Sequence, residues 1–291
     1  MAEQVLHGLH EIRQRQVVGR DNWVALQSTV ETKVMQKEQS GGILLGKQQM
    51  MFPRTYGLVS SETRTLPKNT AAWKRSVSGT RQGQRDAGAC GVRHLPGKRP
   101  CGAPLLDEDG YLDSLSDAVQ AAGGRFVDVR QTLTDHKDEY IYYRTDHHWT
   151  STGAYYAYKL LCDTLGLTPF DPSAHTVLTA DGFYGTHYSK ARTPDAEPDT
   201  ITYYDLPNEL TIYSVSGPGQ PAEGETTGLY DTAKLDVYDK YAMFLHGNNG
   251  LSRIKATAPG GFSSSRQLRQ LLRALPDGQL RRHRRGGFPQ L

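Results

Sequence analysis

The run Tyr142-Tyr143-Arg144-Thr145-Asp146-His147-His148-Trp149-Thr150 concentrates more chemistry than any other part of this chain. An aspartate two residues before a histidine can hold the imidazole in one tautomer. The carboxylate accepts the Nδ1 proton, and Nε2 is left free to take a proton from a hydroxyl nucleophile. Asp146 and His148 are therefore the candidate catalytic residues, the first as orienting carboxylate and the second as general base. If the segment is extended, His147 points away from His148, which suits a structural or substrate-contacting role. Trp149 reads first as a packing anchor and second as a sugar platform. Tyr142 and Tyr143 could line a carbohydrate groove or simply half-bury. Asn248 could donate to an oxyanion, although Gly247-Asn248-Asn249-Gly250 is also a turn sequence.

The elements that must place these groups can be read from local pattern. Ser151–Leu165 is predicted as a helix: Thr150 or Ser151 caps it, Ala154, Ala157, Leu160 and Leu161 form an apolar face, and Gly166 stops it. Asp146 and His148 then lie just ahead of the positive helix end. Asp113–Ala122 is predicted as a second helix, ended by Gly123-Gly124 and followed by a strand over Arg125–Val129. Ile43–Phe52 suggests a short strand pair, and Ile201–Tyr204, Thr211–Val215 and Lys240–Phe244 read as strands. Residues 1–39 read as a mainly helical N-terminal segment, with Trp23, Leu26, Val30 and Val34 at helical spacing. Strands alternating with helices favour an α/β three-layer fold. The main domain is expected over residues 40–261, with residues 168–238, rich in Pro, Gly, Thr and Tyr, as a polar insertion.

Composition excludes several classes. The chain's 291 residues suffice for a sizeable core. Cys90, Cys101 and Cys162 form neither an even-numbered disulfide framework nor a metal-binding spacing. The formal charge of +3 is unevenly distributed. Residues 266–291 hold seven arginines against one aspartate, a local +6, so the rest of the chain is net −3. Asp107-Glu108-Asp109-Gly110, taken with Asp146-His147-His148, also resembles the metal motifs of DHH phosphoesterases. Those enzymes need several carboxylates and histidines converging at strand ends. Here Asp107 reads as a turn, and no further ligand pattern appears.

The Asp146–Trp149 string resembles the signature of the bacterial DHHW family, which is related to SGNH-type esterases and to proteins that O-acetylate alginate and other envelope polysaccharides. Further blocks add to the likeness: Gly19-Arg20-Asp21-Asn22-Trp23, Gly41-Gly42-Ile43-Leu44-Leu45-Gly46-Lys47, Gly182-Phe183-Tyr184-Gly185-Thr186 and Asp239–Asn248. The resemblance implies an SGNH-hydrolase-like fold in which the Asp-x-His block precedes the nucleophile block. It implies acyl-ester chemistry, O-acetyl transfer or acetyl-ester hydrolysis, on a bacterial envelope or extracellular polysaccharide by a Ser-His-Asp mechanism. No cofactor or metal is implied, and no nucleic-acid partner is expected. The expected partners are a carbohydrate or acyl-ester substrate and an envelope acetylation machinery. A second possibility in the same fold is a non-catalytic glycan-binding or assembly protein. The family is exported and often membrane-anchored, yet no apolar signal core follows Met1. A truncated or misassigned start is the expected reason.

The likeness lacks its serine. Residues 76–96 and 262–291 do not resemble folded protein, and Ser78–Asp86 has neither helical nor strand periodicity. Each residue there can be read as a codon made from the last base of one true codon and the first two of the next. Gln82–Leu95 then reads back as Lys-Ala-Ser-Val-Met-Leu-Val-Pro-Ala-Ala-Ser-Asp-Ile-Phe, a buried strand running into a loop. Arg266–Pro276 reads back as Asp-Ser-Tyr-Ala-Asn-Cys-Phe-Val-Pro-Phe-Leu, similar to the family's nucleophile block. The expectation is that both stretches are out of frame, that the fold is incomplete, and that the nucleophile is missing near Arg266–Leu268. The plain alternative for the second stretch is a disordered basic tail.

Overall fold

A computed structural model describes residues 19–54, 84–87, 95–103, 108–121, 123, 125–214, 224–249, 251–255 and 261–264. In chain order it begins with helix α1 (Arg20–Thr29), which runs on as a wider π turn to Val34. The helical spacing of Trp23, Leu26, Val30 and Val34 is real, but all four are exposed. Residues 1–18 of the expected helical segment lie outside the described residues.

Strands β1 (Gln39–Ser40), β2 (Ile43–Leu45) and β3 (Met51–Pro53) form an antiparallel sheet, as the short strand pair over Ile43–Phe52 predicts. Next come β4 (Gln84–Ala87) and helix α2 (Glu108–Ala121), then β5 (Arg125–Asp128), which pairs with β4 in parallel. Helix α2 begins earlier than the expected Asp113, because Glu108 and Asp109 suit the positive first turn of a helix. Asp107, read as a turn, lies outside the described residues. Helix α3 (Arg130–Asp135) follows. Its Arg130 reaches Asp109 at 3.1 Å, Asp113 at 2.5 Å and Asp128 at 2.6 Å, clamping α2 to the end of β5.

Helix α4 (Ser151–Leu165) has the predicted bounds. Thr150 is the cap, accepting from the Gly153 N–H at 3.3 Å, and Gly166 stops the helix in the left-handed region at φ 67°. Ala154 and Ala157 are buried, and Leu160 and Leu161 pack against the same core.

Beyond α4 come β6 (Val177–Phe183), helix α5 (Thr186–Ala191), β7 (Asp199–Tyr204), β8 (Glu209–Ser214), β9 (Thr226–Thr227), β10 (Leu251–Lys255) and β11 (Gly261–Ser264). Strands β6 and β7 form one antiparallel pair, and β11-β10-β8-β9 form an antiparallel sheet. Residues 168–238 thus contribute Phe183, Ile201, Leu210 and Ile212, each almost fully buried. The strand expected over Lys240–Phe244 is instead a 3-10 turn over Lys240–Met243. Tyr241, Met243 and Phe244 are all buried there, whereas a half-buried strand would alternate.

Candidate active site

Residues 141–150 fold back on themselves as a hairpin. Thr150 N–H donates to the Ile141 carbonyl at 2.9 Å, Tyr143 N–H donates to the His148 carbonyl at 3.2 Å, and Tyr142 bridges Trp149. The hairpin is wedged between two cores. Tyr142 and Trp149 pack with Leu133, Ala154 and Ala157 on one side; Tyr143 packs with Phe183, Tyr241 and Met243 on the other. Trp149 is therefore a packing anchor. Neither Tyr142 nor Tyr143 lines a groove, since both are buried. Burial pushes the Tyr143 hydroxyl well above its ordinary value, so it stays protonated.

Asp146 and His148 come together at the hairpin tip. Oδ1 of Asp146 is 2.5 Å from Nδ1 of His148 and accepts the His148 backbone N–H at 2.9 Å. A carboxylate only accepts, so Nδ1 carries a proton, and in the neutral imidazole Nε2 keeps its lone pair. Oδ2 of Asp146 accepts the Thr186 N–H at 2.7 Å. Burial pushes the Asp146 carboxyl up, but it is outweighed by the hydrogen bond and charge of His148, by His147 and by the Thr186 N–H. The net effect holds Asp146 well below the usual carboxylate range, ionised and ready to orient an imidazole.

His147 does not point away from His148. The tip bends, and the two imidazole centroids are 3.8 Å apart. Nδ1 of His147 pairs with Thr186 Oγ1 at 2.7 Å and lies 3.4 Å from Asp146 Oδ1. The side chain of His147 is 46% exposed against 14% for His148 and 2% for Asp146, so His147 is the imidazole at the surface. Two ligands on a tetrahedral ion at ~2.1 Å would stand roughly 3.4 Å apart. The 2.5 Å between Asp146 Oδ1 and His148 Nδ1 is a hydrogen bond, too short for those two atoms to share an ion. Asp109, from the phosphoesterase-like motif, is engaged by Arg130 instead.

Three contributors escape sequence reading. Tyr241 stacks on His148, with centroids 4.0 Å apart and planes 13° from parallel. Gly185 lets the next turn approach: a Cβ there would fall inside the Asp146 side chain and within 2.7 Å of its Cα. His187 is buried behind the site; its Nδ1 has no hydrogen-bond partner among the described residues, and burial lowers its pKa to about 4, so it is neutral. The Gly182–Thr186 block was a visible landmark, but nothing local assigns it the Asp146 contact. Asn248 is exposed in a turn where Leu245, His246 and Gly247 all have positive φ. Asn249 is buried and donates to the Leu245 carbonyl at 2.7 Å. Arg266–Leu268, the expected nucleophile position, lies outside the described residues.

Comparison with curated proteins finds no match. Among solved structures, the chain is similar to a DHHW family protein from Eubacterium siraeum DSM 15702, with a TM-score of 0.57 and 22% identity over 75% of this chain and 72% of that one. It is also similar to Bacillus cereus PatB1 bearing a sulfonyl adduct, with a TM-score of 0.53 and 12% identity over 80% of this chain and 83% of that one. These likenesses give the chain an α/β fold. Residues 118–268 match the family described as DHHW protein, a span holding the whole hairpin, helix α4 and Tyr241. The chain belongs to the DHHW family.

Proposed function

We propose that this fold serves acyl-ester chemistry on a bacterial envelope or extracellular polysaccharide, by O-acetyl transfer or acetyl-ester hydrolysis. The observation that carries the reading is the 2.5 Å pair between Asp146 Oδ1 and His148 Nδ1, with Asp146 further fixed by the Thr186 N–H. In this reading His148 Nε2 takes the proton of a serine as its hydroxyl attacks the ester carbonyl, then returns it to the leaving alcohol. Asp146 orients His148 and stabilises the imidazolium. Exposed His147 contacts the sugar or the acyl donor. A structural neighbour held as a sulfonyl adduct fits a fold that presents an electrophile-reactive nucleophile.

The serine is supplied by the alternative reading frame, and the chain as written does not turn over. Two placements support this. Strand β4 pairs in parallel with β5 through Gln84-Arg85-Asp86-Ala87. Parallel strands are apolar runs, and the alternative frame puts Ser-Val-Met-Leu at those positions. At the other end, β11 ends at Ser264, two positions before the place where that frame reads Asp-Ser-Tyr.

Nucleotide sequencing through codons 76–96 and 255–291 tests the frame, and the repaired protein tests the chemistry. A serine-directed phosphonate should label the restored serine, and His148→Ala should abolish labelling. Repaired protein that binds glycan but neither labels nor hydrolyses an acetyl ester would establish the non-catalytic role instead.

A further inference from the structure

We propose that Asp199 is a positioning residue for the Asp146–His148 pair, a buried carboxylate that fixes the chain leading into Asp146. The proposal rests on the acid–base reading of that pair. Asp199 opens strand β7, 53 residues after Asp146, and has no exposed surface. A buried carboxylate is tolerated only when its lone pairs are satisfied and its charge is matched. Among the described residues, every side-chain donor and backbone N–H that meets its carboxylate comes from Tyr140, Arg144 or Thr145, in or just before the hairpin. Oδ1 accepts the Arg144 N–H at 2.9 Å, the Arg144 Nε–H at 3.3 Å and the Tyr140 hydroxyl. Oδ2 accepts the Thr145 N–H at 2.8 Å and the Thr145 hydroxyl at 2.5 Å. Arg144 supplies the matching charge.

The link continues to Asp146 by a second route. Because Thr145 Oγ1 gives its proton to Asp199, its lone pair is aimed to accept the Gly185 N–H at 3.0 Å. The Thr145 carbonyl accepts the N–H groups of His187 and Tyr188 at 3.0 and 3.1 Å. These bonds seat the turn whose Thr186 N–H holds Oδ2 of Asp146. One carboxylate thus sets both the backbone entering Asp146 and the donor that fixes its second oxygen. An amide cannot replace it. Asn has one acceptor oxygen, and its NH2 would face donors on whichever side it occupied.

The test reads the ring nitrogens of His148 by 15N NMR in the full chain, which needs neither a nucleophile nor turnover. The wild-type chain should show Nδ1 protonated and Nε2 bare, with a downfield Nδ1 proton. Asp199→Asn should lose that resonance and shift the tautomer ratio by about tenfold, the effect of losing one well-aligned charge-assisted hydrogen bond. Thr145→Val, which cuts the same link, should do likewise. Tyr140→Phe removes a donor to Oδ1, the oxygen that Thr145 does not touch, and should lower stability while leaving the tautomer unchanged. A folded Asp199→Asn chain with the wild-type tautomer overturns the proposal. If Asp199→Asn does not fold, Thr145→Val decides, and a wild-type tautomer there overturns it equally. A tautomer that follows overall stability across all three variants, Tyr140→Phe included, shows a merely structural carboxylate and also overturns it. If wild-type His148 itself lacks the Nδ1-protonated form, the acid–base reading fails and takes this proposal with it.

Discussion

Tyr241 lies face to face with His148, their ring centroids 4.0 Å apart and their planes 13° from parallel. The 3-10 turn that replaces the expected strand is what presents this ring, and it does so from a position 93 residues after the histidine. With His147 centred 3.8 Å from His148, the His148 imidazole is flanked by two rings as well as held by Asp146. Tyr241→Ala should cost about 3–5 kcal/mol of stability, the usual range for emptying a buried aromatic site. It should also raise the rate at which diethyl pyrocarbonate modifies His148, read by peptide mass spectrometry. Tyr241→Phe keeps the stacked ring and should protect His148 as the wild type does. Equal protection in the alanine variant would show that the stack does not shield the imidazole.

In the frame-restored protein, His148→Ala and Asp146→Ala should each lower kcat/KM for a small acetyl ester by roughly 10⁴–10⁶-fold, as removing one member of a triad does. His147→Ala should cost less than about tenfold, because its Nδ1 is committed to Thr186 and its ring is exposed. Steady-state kinetics on the three variants checks the order. If His147→Ala is the most damaging, the general base has been assigned to the wrong imidazole.

Gly185 is required for space, since its φ of −87° suits any residue. Gly185→Ala puts a methyl group where the Asp146 side chain lies. Relief requires moving Asp146 or the Gly185–Thr186 turn, at about 1–3 kcal/mol of strain. Urea denaturation should show that loss. The downfield Nδ1 proton of His148 should weaken as well, because the Thr186 N–H moves with the turn. An undisturbed proton would mean that the turn yields without carrying Asp146.

His187 gives the protein a pH dependence of definite sign. Its folded-state pKa of about 4 lies below the ordinary 6.5. Between those values the unfolded chain binds a proton that the folded chain refuses. Stability therefore falls as pH drops through about 6.5, and the loss levels off below about 4. From pH 7 to pH 5 the expected loss is about 2 kcal/mol, and His187→Asn should remove it. Urea midpoints at the two pH values decide. Asp146 acts at lower pH: its depressed pKa contributes stability that is complete above its unfolded value and lost as the medium is acidified below it.

The parts legible in sequence were those fixed by near neighbours. Helix α4 was readable to the residue because Thr150, the small apolar face and Gly166 are all local signals. Asp146 and His148 were readable because their partnership spans two residues. Thr186, Asp199 and Tyr241 reach the site only through tertiary packing, and a threonine at a helix start or an aspartate at a strand start carries no local mark. The apolar spacing of Trp23, Leu26, Val30 and Val34 gave the helix correctly, but periodicity names a face and not its partner. At Lys240–Phe244, the buried Tyr241, Met243 and Phe244 imitate a strand, while the backbone turns to serve two clusters.

Gly41, on the turn between β1 and β2, lies so close to α5 that a Cβ there would meet the Lys190 carbonyl carbon at 2.7 Å. The Gly-rich block near the start of the chain and the Gly-Phe-Tyr-Gly-Thr block near its middle look like unrelated landmarks. In space they are two sides of one joint, and α5, on the far side of that joint, begins with the residue that holds Asp146. A substitution at Gly41 is therefore tied to the placement of α5. A bulkier residue at position 41 would be tolerated in a relative whose α5 sits farther out, and such a relative would have to find another way to hold its aspartate.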